Sequence, residues 1–308
     1  MKKLIKEFKD KNVLITGGTG FIGFHLVEAL KDFCDVTVLA YPEKMEGVKS
    51  IIVDLRDGKD VLKKTKGLDC DVVFHMAGHI ELPGKVDAAK HLAINAAGTK
   101  NILEACREKD IERFIFSSSM TVFGDALYLP VDEKHPKMPN SFYGMSKLLG
   151  EIYCYEYRRF YGINTVILRY SYVFGPKQYE GRVVPIFINN AIKKKPLQVK
   201  GSGTSSQDFV YVKDVVNANI LAACRKSAVG EDFNIGFGKD ITINELAHAV
   251  KKIIPSVRII HSSAKNEVIK RFVFDISKAR NVLGYKPNYS LYNGLVEQIE
   301  HAKHVKGV

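Results

Sequence analysis

The chain has 308 residues, enough for one or two domains around a large core, and its 46% apolar and 26% charged content is that of a globular protein rather than a membrane-spanning or low-complexity one. The formal net charge of +12 invites an anionic partner, but the lysines are dispersed, the densest run is Lys193-Lys194-Lys195, and no nucleic-acid motif accompanies them, so no nucleic acid is expected. No apolar run reaches the length of a membrane span, and the opening Met-Lys-Lys-Leu-Ile-Lys-Glu-Phe-Lys-Asp does not read as a signal peptide, so no membrane partner is expected and the cytoplasm is the expected compartment. The five cysteines (Cys34, Cys70, Cys106, Cys154, Cys224) are scattered, odd in number and without metal-ligand spacing. They are expected as free, buried thiols, with no metal site.

Residues 12–16 form a short apolar run that stops at glycines, the signature of a buried strand, and 23–30 then follow a helical pattern. Further strands are expected at 36–39, 51–53, 72–75, 114–117 and 165–168, with helices at 89–108 and 143–160 between them. Strands alternating with helices argue for parallel βαβ units, and strands buried on both faces read as continuous apolar runs, as these do. After Gly175-Pro176 the pattern changes. Residues 201–207 are polar and turn-rich, 209–212 are apolar, and 233–236 fit one more strand of the first sheet. A helix is expected at 241–254, capped by Thr242 with Glu245 three residues on. The expected fold is an α/β Rossmann fold, a doubly wound parallel sheet with a smaller interleaved C-terminal α/β substrate domain. Residues 1–176 with about 208–239 would form the dinucleotide-binding unit, and 177–207 with 240–308 the substrate unit.

Three glycines, Gly17, Gly20 and Gly23, recur at intervals of three between the first strand and the first helix. There they allow a tight turn, backbone approach to a pyrophosphate and close helix packing. The acid that ends the second strand of many such folds, and binds ribose hydroxyls, is missing: the residue is Ala40. Lys44 is placed to pair with a 2′-phosphate and Glu43 to reach the ribose, which leaves NAD and NADP both open. Downstream, Tyr143 and Lys147 lie one helical turn apart. An ammonium one turn from a phenol favours the phenolate, and a tyrosine tuned in this way can exchange a proton with a substrate hydroxyl.

Taken as a set, the motifs resemble the extended short-chain dehydrogenase/reductase family, in its NAD-dependent nucleotide-sugar epimerase/dehydratase branch. The motifs are Thr16-Gly-Gly-Thr-Gly-Phe-Ile-Gly23, Asp54-Leu55, His75-Met-Ala-Gly78, Asn95-Ala-Ala-Gly-Thr-Lys-Asn101, Phe116-Ser-Ser-Ser119 with Val122-Phe-Gly124, Arg169-Tyr170, Val173-Phe-Gly-Pro176, Asp208-Phe-Val-Tyr-Val212 with Asp214, and Asp275-Ile-Ser-Lys278 with Leu283-Gly-Tyr285. The resemblance covers nearly the whole chain. It implies that Ser119 bonds the reacting oxygen, Tyr143 is the general acid/base, and Lys147 lowers its pKa and holds the nicotinamide ribose. It implies a cofactor cradle of Gly17, Thr19, Gly20, Phe21, Ile22 and Gly23, an adenine contact at Asp54 and Leu55, and further cofactor contacts from Met76, Ala77, Gly78, Asn95 and Tyr170.

Sugar 4,6-dehydratases carry Asp and Glu after the serine position. Here Met120 and Thr121 stand there and neither moves a proton at neutral pH, so the resemblance is closer to 4-epimerases. Such an enzyme oxidises a ring hydroxyl transiently and returns hydride to the other face, keeping its NAD or NADP bound. The substrate side departs from the family pattern. Tyr172 replaces an expected Asn, Gln207 replaces an expected Arg, and near Asp275 only Lys265, Lys270 and Arg271 are available. Arg182 and Lys177 are candidates to compensate for the lost phosphate contacts. His79, Glu81 and Lys85 read as a solvated loop, with a roof over the pocket as the alternative. A nucleotide-sugar epimerase is the leading expectation; a net NAD(P)H-dependent oxidoreductase on a sugar or other small alcohol or ketone, and a non-catalytic dinucleotide-binding module, are the alternatives. Apolar and aromatic residues on more than one face of the helices at 89–108 and 143–161 predict a homodimer, and the resemblance implies that this helix pair forms a four-helix bundle across its two-fold axis.

Overall fold

The structure is a computed structural model that describes residues 2–80, 86–263 and 268–307. In chain order, α1 (Lys2–Ile5) leads to β1 (Asn12–Thr16), α2 (Phe21–Leu30), β2 (Asp35–Ala40), β3 (Lys49–Ile52), α3 (Gly58–Thr65) and β4 (Val72–His75). A helical run follows: α4 (Ala88–His91), a π-helical turn at Leu92–Ala97, and α5 (Gly98–Cys106). Next come β5 (Arg113–Ser119), α6 (Phe142–Tyr161), β6 (Thr165–Tyr170), β7 (Tyr172–Phe174), α7 (Val183–Ile192), β8 (Leu197–Lys200), β9 (Ser206–Tyr211), α8 (Val212–Cys224), β10 (Asp232–Ile235), β11 (Asp240–Thr242), α9 (Ile243–Ile253), β12 (Ile259–Ser262) and α10 (Leu291–Lys306).

Seven strands form one parallel sheet in the order β10-β6-β5-β4-β1-β2-β3. Alternate residues of each strand feed opposite faces, and both faces are apolar. Ile15, Phe74, Ile115 and Leu168 pack with α2 and α8, whereas Leu14, Val73, Phe114, Phe116 and Ile167 pack with α3, α5 and α6. Chain direction across the sheet reverses between β1 and β4. That switch point opens a crevice at the carboxyl ends of the strands, where a doubly wound sheet binds its ligand. The strand expected at 233–236 is β10, paired in parallel with β6.

A second unit packs beside the sheet around Phe174, Phe187, Leu197, Phe209, Tyr211, Leu246 and Leu295. It holds a three-stranded sheet, β11-β9-β7, and a two-stranded one, β12-β8. The expected cap of α9 is present: the Thr242 hydroxyl accepts from the Glu245 amide, and the Glu245 carboxylate accepts from the Thr242 amide at 2.7 Å. All five cysteines are free, but only Cys106 and Cys154 are fully buried.

The structure differs from the expected elements in several places: the helix expected from 241 begins at Ile243, after β11, and β9 already begins at Ser206 within the expected turn stretch. Helix α2 begins at Phe21, two residues earlier than its apolar pattern, because the Phe24 amide already donates to the Gly20 carbonyl at 2.9 Å. The helix expected at 89–108 is interrupted by the π turn, whose extra residue per turn the periodicity does not show.

Helix α6 lies unusually close to β5. A Cβ on Gly150 would sit 2.4 Å from the ring of Phe116. We expect Gly150→Ala to lower stability by about 1–3 kcal/mol through overpacking, seen as a lower urea midpoint at unchanged m-value.

Candidate active site

The β1–α2 turn is built for backbone approach. Gly17 has φ of +69°, and a Cβ there would lie 2.7 Å from the Ala77 backbone. A Cβ on Gly23 would lie 2.1 Å from the Gly17 carbonyl oxygen. Both are glycine because strand, turn and helix pass within contact distance of one another. The amide end of α2 then faces the crevice, ready for an anion. The cradle that these missing Cβ atoms leave fits a dinucleotide pyrophosphate.

Beside it, the exit of β4 is held by a buried polar chain. The Thr16 hydroxyl meets His75 Nδ1 at 2.7 Å and accepts from the Ala77 amide at 3.1 Å. His75 Nε2 meets the Thr99 hydroxyl at 2.9 Å, and that hydroxyl donates to the Asn95 carbonyl. Burial, with Lys147 nearby, pushes the His75 ring down to about 3, so it stays neutral. Asn95 sits in the π turn, fully buried. Its Oδ1 accepts from the His79 amide at 2.6 Å, and its Nδ2 donates to the His79 carbonyl at 3.0 Å and to the Ser146 hydroxyl at 2.9 Å. Asn95 therefore pins the β4 exit to α6 and does not line the crevice.

Ser119 ends β5, with Tyr143 and Lys147 facing it from α6. Thr121 donates to Ser119 Oγ from its amide at 3.2 Å and its hydroxyl at 3.0 Å, which leaves the Ser119 proton for a partner in the crevice. Burial pushes the Tyr143 phenol up to about 12; the facing Ser119 hydroxyl and Arg182 pull it back, and Tyr179 opposes them. Lys147 is pushed down to about 8 by burial, against the pull of Cys154 and Glu151. Its Nζ lies 4.9 Å over the Phe116 ring and would stand 3.3 Å from a Cβ on Gly78. The sequence reading has Lys147 depressing the phenol. In the structure, desolvation is the largest cause for both groups and drives each toward its neutral form.

These groups converge on a crevice of about 920 Å³. Gly17, Thr19, Gly20, Phe21, Ile22, Gly23, Asp54, Leu55, Met76, Ala77, Gly78 and Tyr170, the expected cofactor contacts, all line this crevice. Ser119, Tyr143, Lys147, Tyr172 and Arg182 line the rest. Lys44 is exposed and outside the lining, which on this stretch of chain ends at Tyr41. Gln207 lies in β9, also outside it, with its Oε1 buried and without a partner among the described residues. Lys177 rests on the Phe24 ring, Lys270 pairs with Asp125 and Arg271 with Asp240. None of the three lines the crevice, which leaves Arg182 as the cation lining its substrate side beside Lys90 and Lys147 among the described residues. Lys265, Glu81 and Lys85 lie outside the described residues. His79, read as part of a solvated loop, instead lines the crevice with its ring 5.1 Å from that of His91, which in turn packs edge-on to Tyr143.

Several lining residues carried no sequence signal. Arg56 forks onto Asp54, with Nε 2.9 and 3.0 Å from the two carboxylate oxygens, and this holds the Asp54 carboxyl below its usual range. Tyr41 borders the same end, and the Tyr179 hydroxyl would stand 3.7 Å from a Cβ on Gly20. They escape motif reading because they lie in loops, where no periodicity fixes the direction of a side chain.

Residues 13–236 match the NAD dependent epimerase/dehydratase family. A Methanocaldococcus jannaschii protein that carries the provisional name UDP-glucose 4-epimerase is 39% identical over 306 residues, covering 94% of this chain and 98% of that one. The UDP-glucose 4-epimerase of Thermotoga maritima, solved with UDP-glucose, superposes with a TM-score of 0.88 at 30% identity, over 96% of this chain and 99% of that one. The UDP-glucuronic acid 4-epimerase of Bacillus cereus, solved with UDP-glucuronic acid and NAD, gives a TM-score of 0.86 at 29% identity with the same coverage.

Filling the turn should abolish dinucleotide binding. Gly23→Ala is expected to weaken NAD affinity at least about 100-fold, because the added methyl displaces the Gly17 carbonyl and with it the anion-facing amides; calorimetric titration of the purified variant checks this.

Proposed function

This chain belongs to the NAD-dependent epimerase/dehydratase family, and we propose that it is a nucleotide-sugar 4-epimerase that uses Ser119, Tyr143 and Lys147 as its proton-handling group. The observation that carries the reading is the convergence of these three side chains at the floor of one crevice, beside the glycine cradle. NAD supplies the hydride acceptor and donor when bound, held by the Gly17–Gly23 turn, Asp54, Leu55 and the Met76–Gly78 strand exit. Tyr143 takes the proton of the sugar hydroxyl as it is oxidised to a ketone and returns it on reduction. Ser119, whose oxygen is already engaged by Thr121, donates its proton to the reacting oxygen and steadies it as charge changes. Lys147 supplies a fixed positive charge one turn from Tyr143. Met120 and Thr121, in the positions where dehydratases place acids, cannot catalyse loss of water.

On the substrate side, Arg182 at the start of α7 is the group we assign to the diphosphate, with Tyr172 beside it. Residues 1–176 with about 208–239 are read as the cofactor unit, supported by β10 joining the large sheet. Residues 177–207 and 240–308 are read as the substrate unit, and β9 bridges the two through its pairing with β7 and β11. The five free thiols favour a cytoplasmic setting. We further infer a homodimer. Phe142, Met145, Leu149, Ile152, Tyr153 and Phe160 form an exposed stripe along α6 at helical spacing, beside exposed Leu92, and a second copy would bury it.

Tyr143→Phe should lower kcat by about 10²–10⁴-fold while NAD still binds; unchanged activity would instead point to a non-catalytic binding module. Conversion of UDP-glucose or a related nucleotide sugar should need no added cofactor and leave no net change in nicotinamide absorbance; a stoichiometric change would identify a net oxidoreductase. On the alkaline side, activity should fall as pH rises through about 8, where Lys147 loses its charge, as read from kcat against pH. Light scattering should give a particle of twice the 34.5 kDa chain mass.

A further inference from the structure

We propose that Glu151 is the positioning residue of this active site: a buried carboxylate that sets the Ser119 strand end against the Tyr143 helix and places a counter-charge one helical turn from Lys147. The inference rests on the reading of Ser119, Tyr143 and Lys147 given above.

Glu151 follows Tyr143 and Lys147 at the next i+4 step of α6, so all three lie on one helix face. It is fully buried, as is its partner Arg169 on β6. Glu151 Oε1 accepts from the Ser118 hydroxyl at 2.6 Å and from Arg169 Nε at 2.8 Å, and Oε2 accepts from Arg169 Nη2 at 2.8 Å. Ser118 and Arg169 are themselves register partners across β5 and β6. One carboxylate thus ties two strands and a helix together at the residue next to Ser119. On the outer side, Arg169 also meets Asp232 of β10, and Lys137 and Lys278 close the cluster, at 3.2 Å from Glu151 and 3.0 Å from Asp232 respectively.

A purely structural contact would not need this charge. A buried ion pair is costly to desolvate, and apolar side chains of the same volume commonly pack as stably. What an apolar residue cannot do is place a negative charge one turn from Lys147. The groups facing Lys147 are Tyr143, Glu151 and Cys154 on α6 and His75 on β4; β5 offers the Phe116 ring and no charge. His91 of α4 packs on Tyr143 from the far side. Of these, Glu151 is the carboxylate. Burial drives Lys147 toward the neutral amine, and Cys154 and then Glu151 oppose that drift; burial also raises the Cys154 thiol well above its usual range, which leaves Glu151 as the group that is charged at neutral pH.

The test compares two neutralised carboxylates on the same arginine. Glu151→Gln should move the alkaline limb of kcat to lower pH by about 1 unit, so that activity at pH 9 falls about tenfold more than at pH 6.5. The Lys147 ammonium, followed by ¹⁵N-lysine NMR without substrate, should titrate lower by the same amount. Asp232→Asn, which removes the other carboxylate of Arg169, should lower the unfolding temperature and leave the pH limb in place. A Glu151→Gln limb and Lys147 titration that match wild type, or an Asp232→Asn shift as large as that of Glu151→Gln, would overturn the proposal. Should the Gln variant not fold, Ser118→Ala and Glu151→Asp carry the test: the first should lower kcat at every pH without moving the limb, the second should move the limb part of the way, and failure of both overturns it. If Tyr143→Phe proves fully active, the catalytic reading itself is at fault, whereas the NMR titration still reports on Glu151 and Lys147.

Discussion

A helix that carries a phenol and an ammonium one turn apart can serve this crevice only if it lies almost in contact with the sheet. Gly144 and Gly150 make that approach possible. A Cβ on the first would fall 2.4 Å from the Thr121 carbonyl, and one on the second 2.4 Å from the Phe116 ring. With α6 drawn in, Tyr143 meets Ser119, Lys147 reaches the strand exit at Gly78, and Ser146 meets Asn95 of the π turn. The rest of the active site hangs on this close contact between α6 and β5. The glycine cradle on the other side of β4 is a second, independent close approach.

The same closeness sets the electrostatics. Removing a phenol and an ammonium from water drives both toward their neutral forms, the Tyr143 phenol to about 12 and Lys147 to about 8. The surrounding polar groups are arranged against that drift. Ser119 favours the phenolate, Glu151 favours the ammonium, and His75, kept neutral by burial, adds no second cation beside Lys147. The Glu151–Arg169 pair is costly to bury, and its cost is offset by the hydrogen bonds that satisfy both carboxylate oxygens.

Much of this was legible in the chain itself. Apolar runs of strand length, each followed by a helical stretch, are what a parallel sheet covered on both faces must look like, and the sheet strands fall where those runs lie. The glycine turn was legible because close approach leaves few alternatives to glycine, and the Tyr143 and Lys147 pair because its spacing is that of one helix face, whereas Ser119 was singled out from its serine run by the resemblance alone. Less legible were Arg56, Tyr41, His79, His91 and Tyr179, which enter the crevice from loops and helix starts where no periodicity constrains side-chain direction. Lys44 and Gln207, both plausible by position in sequence, do not line the crevice.

Local rules, then, were enough to determine the strands, the glycine turn and the placement of Tyr143 and Lys147 on one helix face, because each depends on neighbours close in sequence. Which cations face the substrate, how far each titrating group is shifted, and that Glu151 stands behind Ser118 were decided only by the tertiary structure. Desolvation and charge pairing depend on what is within a few ångströms in space, and Glu151 meets Ser118 and Arg169 across separations of 33 and 18 residues that no sequence period connects.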